Sequence, residues 1–109
     1  MLMVIAALSG AMAVAAGAFG AHGASGDAVE WLKTGALYQM VHAVAAIALA
    51  GRAGANGPAW LFVIGGGLFA VTLYAMALGA PRWFGAITPI GGTLLIGGWL
   101  WLAWGALRG

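Results

Sequence analysis

An all-α integral membrane protein, one four-helix bundle with short loops spanning residues 1–109, is what the sequence predicts, and three observations carry that prediction. The chain is 64% hydrophobic and 6% charged, with a mean hydropathy of +1.05, a far more apolar balance than water-soluble domains show. Its charged residues, Asp27, Glu30, Lys33, Arg52, Arg82 and Arg108, leave uncharged runs at 1–26, 34–51, 53–81 and 83–107. Each run holds roughly 17 to 25 mostly apolar residues, enough to cross about 30 Å of hydrocarbon as a helix. Trp31 and Trp83 fall beside the first and third connections, Trp60 and Trp104 beside the second connection and the end of the fourth span, so both interfaces receive amphipathic rings. Strand spans are disfavoured, because Ala, Leu and Gly dominate and no period-two alternation is present.

The first span, about 2–21, carries Ala6, Gly10, Ala13, Gly17 and Gly20 on one face, a small-xxx-small pattern that lets a neighbouring backbone approach. No Lys or Arg precedes it, so it is expected to be a retained helix and not a cleaved signal. After a small-residue connection, Asp27-Ala28-Val29-Glu30 has the spacing of a capping box and predicts a helix starting near Ala28. The second span, about 34–51, ends at Arg52-Ala53-Gly54-Ala55-Asn56-Gly57-Pro58, a turn with proline placed to open the next helix. The third span, about 59–79, contains Gly65-Gly66-Gly67 as a close-approach surface. It stops at Gly79-Ala80-Pro81.

Arg82-Trp83-Phe84-Gly85-Ala86-Ile87 is too hydrophobic for a solvated loop and is expected to lie in the interface. Thr88-Pro89 then reads as N-cap and N1 of the fourth span, about 89–107, in which Gly91, Gly98 and Gly105 recur every seven residues and should face another helix. Trp99 lies deep for a residue of the aromatic belt.

The second span is exceptional in carrying polar side chains at hydrocarbon depth. Tyr38, Gln39 and His42 fall on one broad face with Gly35 and Ala46, and that face is expected to look at protein. Tyr74 is a second phenol that needs a partner. Two uses compete for these groups. Interhelical hydrogen bonding, with Tyr74 and Thr72 as partners, is the common one in helix bundles and is favoured. A polar pocket for a lipid headgroup, quinone or proton is the other.

His22 and His42 are the two imidazoles, yet His42 lies about 12 Å deeper in the membrane at about 1.5 Å per residue, beyond the reach of one metal with ligand bonds of about 2 Å. No metal or cofactor is expected, and without cysteine there is no thiolate chemistry. Asp27 and Glu30 are explained by capping, and no nucleophile stands beside a base, so catalysis is disfavoured. The four basic residues sit in separate connections and make no patch for nucleic acid.

Several stretches taken together resemble a known family. They are Gly17-Ala18-Phe19-Gly20-Ala21-His22-Gly23, Tyr38-Gln39-Met40-Val41-His42, Leu73-Tyr74, Ile87-Thr88-Pro89-Ile90-Gly91-Gly92 and Gly97-Gly98-Trp99. In this order they resemble the YgdD-like proteins of bacteria, small four-helix membrane proteins of unknown function (domain-of-unknown-function family four-two-three), related to the transmembrane protein 256 group. The chain departs from the family at Ala70-Val71-Thr72, where a Ser-Gly-Ser type segment is common. The resemblance implies four spans in the bacterial inner membrane and brings no reaction, ligand or partner.

The leading expectation is therefore a non-enzymatic bundle with a structural or small-ligand-binding and lipid-binding role, in contact with membrane lipids and able to form a homo-oligomer through its glycine stripes. The rival is a membrane-embedded enzyme or redox subunit with an interfacial pocket around His22, Tyr38, Gln39 and His42. Basic residues tie between the two ends, and the amino group weakly favours both termini in the cytoplasm.

Overall fold

A computed structural model describes residues 1–109. It contains α1 (Leu2–His22), α2 (Asp27–Leu49), α3 (Asn56–Ala77), a short 3-10 helix (Arg82–Ala86) and α4 (Thr88–Arg108). All four α-helices are long and apolar enough to cross a membrane. At about 1.5 Å per residue each reaches just over the hydrocarbon thickness of about 30 Å. The 47 × 24 × 19 Å envelope is two helices wide in both short directions. In that cross-section α1 packs chiefly on α2, α2 on α3, and α3 on α4.

The core runs along α3. Pro58 and Phe62 are its largest fully buried side chains, and Ala6, Ala46, Ala59, Val63 and Leu95 gather around Phe62 from all four helices. Leu8, Val14, Ile96, Leu100 and Leu107 point outward from α1 and α4. In water such a surface would aggregate; in lipid it costs nothing and makes the outer helices the hydrocarbon boundary.

Glycine sets the spacing between α3 and α4. A Cβ on Gly91 would stand 2.5 Å from the Phe69 amide nitrogen and 2.8 Å from the Gly65 carbonyl oxygen, and one on Gly98 would stand 2.7 Å from the Phe62 ring. Gly17 and Gly66 lie at ordinary van der Waals distance from the neighbouring helix, with Ala36 Cβ at 3.6 Å and His42 Cβ at 3.5 Å. Gly10 and Gly105 depart from expectation: a Cβ on either meets nothing within 4 Å. Seven-residue spacing drifts around a straight helix, and at Gly105 the stripe has left the α3 surface.

Two caps differ from the sequence reading. Gly26 takes the N-cap position of α2 with φ +64, so Asp27 becomes the first helical residue and its carboxylate is released from capping. It accepts instead from Arg82 at 2.8 Å, and the Arg82 guanidinium also stands 5.2 Å from the centre of the Trp31 ring. The first and third connections are thereby clasped at one end of the bundle. Thr88 likewise does not cap α4. Ile87 holds that position, and the buried Thr88 hydroxyl meets Thr72 at 2.7 Å. Thr72 donates back to the Leu68 and Phe69 carbonyls, leaving its oxygen to accept from Thr88. The departure from the family pattern at Ala70-Val71-Thr72 thus keeps one polar role, at Thr72.

The glycine contacts fix an expected outcome. Gly91→Ala should lower stability in detergent by about 1–3 kcal/mol, because the obstructing atoms are backbone and cannot swing away. Gly97→Ala, where a Cβ meets nothing within 4 Å, should leave the thermal midpoint unchanged or raise it. Equal losses at both positions would overturn this account of the α3–α4 seam.

Candidate functional site

The polar residues of α2 diverge into two short hydrogen-bonded rungs and one free hydroxyl. The first rung crosses three helices. Tyr74 of α3 donates to Gln39 Oε1 at 2.7 Å, and Gln39 Nε2 donates to the Met12 thioether of α1 at 3.5 Å. Gln39 is 3% exposed, so both ends of its amide need partners, and the phenol and the sulfur supply them. Gly35 makes this rung sterically feasible: a Cβ there would be 2.7 Å from the Tyr74 ring.

The second rung holds the imidazole. His42 Nδ1 lies 2.6 Å from the Tyr38 carbonyl oxygen, and Trp99 Nε1 of α4 donates to His42 Nε2 at 3.0 Å. A carbonyl only accepts and an indole N–H only donates, so the arrangement selects one species: neutral imidazole with its proton on Nδ1. Both ring nitrogens are then occupied. A metal or a transferable proton at Nε2 would have to displace Trp99. Phe62 packs against the same ring, 5.4 Å from it centre to centre, and closes the site on the core side.

Tyr38 is different. The sequence places it on the protein-facing side, but it is 44% exposed, and its hydroxyl has no hydrogen-bond partner in the protein. Its backbone serves His42 while its ring leans on Phe69 of α3, centroids 4.7 Å apart. The helical step explains the split: Gln39 and His42 turn toward α1, α3 and α4, whereas Tyr38 sits on the edge of that arc, beside exposed Leu37 and Val41. A shallow cleft of about 260 Å³ lined by Leu37, Tyr38, Val41 and His42 opens there. At about 1.5 Å per residue Tyr38 lies roughly 7 Å beyond Lys33 along α2, so this cleft opens inside the edge of the hydrocarbon layer.

The remaining candidate residues are not brought together with these. His22 is exposed in the last turn of α1, where an imidazole suits the negative end of the helix, and lies at the membrane edge, apart from His42. Asp27 is engaged by Arg82, and no group of three or more metal-ligating side chains forms. Sequence reasoning missed Met12 and Phe69 altogether, and a thioether or a phenylalanine in an apolar run offers no signal. For Trp99 the signal was present in its depth.

A model of a protein family of unknown function, DUF423, matches residues 16–92. A UPF0382 membrane protein of Haemophilus influenzae is 42% identical over 97% of this chain and 93% of its own length. One from Staphylococcus saprophyticus is 38% identical, covering 97% and 96%. The UPF0382 inner membrane protein YgdD of Escherichia coli K12 is 37% identical, covering 98% and 89%. No solved structure matches the chain.

The rungs generate two expected outcomes. Trp99→Phe keeps an aromatic ring but strips the donor from His42, and should cost about 1 kcal/mol, the usual range for interhelical bonds in membranes. A double-mutant cycle with His42→Ala should return that coupling, and a coupling of zero would dissolve the rung. In the intact protein, nitrogen NMR of labelled histidine at neutral pH should find His42 protonated at Nδ1 alone; a proton on Nε2 would refute the assignment.

Proposed function

The chain belongs to the DUF423 family of membrane proteins of unknown function, and from that premise we propose that it is a non-catalytic bundle of the bacterial inner membrane that holds a lipid-soluble, hydrogen-bonding molecule against the central turn of α2. The carrying observation is the Tyr38 hydroxyl, partnerless at hydrocarbon depth. A hydroxyl without a partner in an alkane-like medium costs several kcal/mol relative to water, and lipid tails offer it nothing. A ligand carbonyl would accept from it, and the exposed phenol ring beside Phe69 offers an aromatic platform for a planar group. A quinone is the simplest molecule with those properties.

The other polar residues support a scaffold role over a catalytic one. Gln39 and His42 each spend both of their side-chain polar groups on protein partners, which leaves no free base beside a nucleophile. Their work is to hold four helices in register around the cleft.

The reading is tested by native mass spectrometry of protein extracted from membranes in mild detergent. Wild-type protein is expected to retain a small carbonyl-bearing lipid, and Tyr38→Phe to lose about tenfold in retention, as for one lost hydrogen bond with the acceptor left buried. Its melting temperature should stay within the range of a neutral surface change, because no protein bond is removed. Equal retention by both proteins would defeat the proposal, as would a dimer in which Tyr38 is shielded by a second copy.

A further inference from the structure

Charge is segregated along the bundle. Both acidic residues, Asp27 and Glu30, lie at the end that carries the first and third connections, where Asp27 pairs with Arg82. The opposite end, with the second connection and the last turn of α4, carries Arg52 and Arg108 and no acidic side chain. Arg52 has no carboxylate partner. It lines a cavity of about 400 Å³ between the second connection and the end of α4, walled by Gly54, Ala55, Trp101, Leu102 and Gly105. That volume falls in the range of sites that hold small molecules.

Gly105 lies on the cavity wall and leaves it open. It is the third glycine of the seven-residue stripe. Gly91 and Gly98 use their missing side chains to bring α4 against α3, whereas a Cβ on Gly105 meets nothing within 4 Å. The space it vacates belongs to the cavity.

We infer that this cavity seats the phosphate of an anionic phospholipid headgroup, with Arg52 as the charged partner and Gly105 providing the room. An unpaired guanidinium at a membrane interface favours a phosphate, which it can bind through two parallel N–H···O bonds. The apolar wall of Trp101 and Leu102 suits a phosphate that carries acyl chains over a free ion. A groove of about 350 Å³ at the other end also contains a cation, Lys33, but Asp27 and Glu30 share that end and disfavour a second anion. The inference is independent of the Tyr38 cleft, which opens on the middle of α2, away from the second connection.

The test is lipid retention in native mass spectrometry, with phosphatidylglycerol and phosphatidylcholine offered at equal concentration to detergent-solubilised protein. Wild-type protein should prefer phosphatidylglycerol by about fivefold to tenfold, the scale of one arginine at a headgroup. Arg52→Gln should abolish the preference and Arg52→Lys should keep part of it. Gly105→Leu should abolish it with the charge intact, by filling a space in which the new side chain meets no neighbour.

Arg108→Gln, outside the cavity, should retain it. No preference in the wild type would overturn the inference. So would an equal loss in Arg108→Gln and Arg52→Gln, which would mark diffuse surface charge. Displacement of the lipid by millimolar inorganic phosphate would overturn the lipid as the source in favour of a free anion. Melting curves establish that each variant is folded, and either Arg52→Gln or Gly105→Leu alone decides the question.

Discussion

The bond from the Trp99 indole to His42 is the constraint on which the arrangement of α2, α3 and α4 depends. Helices α2 and α4 share little direct packing, since α3 stands between them over most of their length. The 3.0 Å bond crosses that gap, and the 2.6 Å bond behind it to the Tyr38 carbonyl fixes the imidazole proton. In a medium that offers no hydrogen bonds, a buried imidazole must find both a donor and an acceptor. The four spans solve that problem jointly. Gln39 poses the same problem one turn earlier, and Tyr74 and Met12 answer it from the other side.

Small residues make those bonds geometrically available. Lipid-facing surface gives helices no hydrophobic reason to associate, so close backbone approach and polar rungs must supply the attraction. Gly91 and Gly98 bring α4 onto α3, and Gly35 admits the Tyr74 ring to the α2 surface. If Gly98 carried a side chain, it would strike Phe62, the residue that also packs on His42 and Trp99. Packing and hydrogen bonding therefore share residues and cannot be adjusted separately.

Much of this fold was legible before any coordinates. Charge spacing and tryptophan placement read out the four helices, because burial of backbone polar groups in lipid leaves few alternatives. The polar face of α2 was legible from helical periodicity, and Gln39 and His42 are indeed buried. Tyr38 was misplaced by the same argument, since a face read at 100° per residue has an edge that periodicity does not locate. The pairing of Asp27 with Arg82 was hidden by sequence distance, and the local capping pattern pointed elsewhere. Trp99 looked out of place in an aromatic belt; its true partner became visible only when α2 and α4 were set side by side.

The backbone contact at Gly91 has a consequence for how the molecule meets membranes of different thickness. With the α3 backbone so near Gly91 that a Cβ there would strike the Phe69 amide and the Gly65 carbonyl, α4 has no slack to slide along α3. The hairpins on either side are held by the rungs and by the clasp at Arg82. Four rods of nearly equal length that cannot shear must answer hydrophobic mismatch as one body, by tilting or by deforming the lipid around them. Such an object is a stiff gauge of bilayer thickness, and it should settle where the acyl chains already match its length.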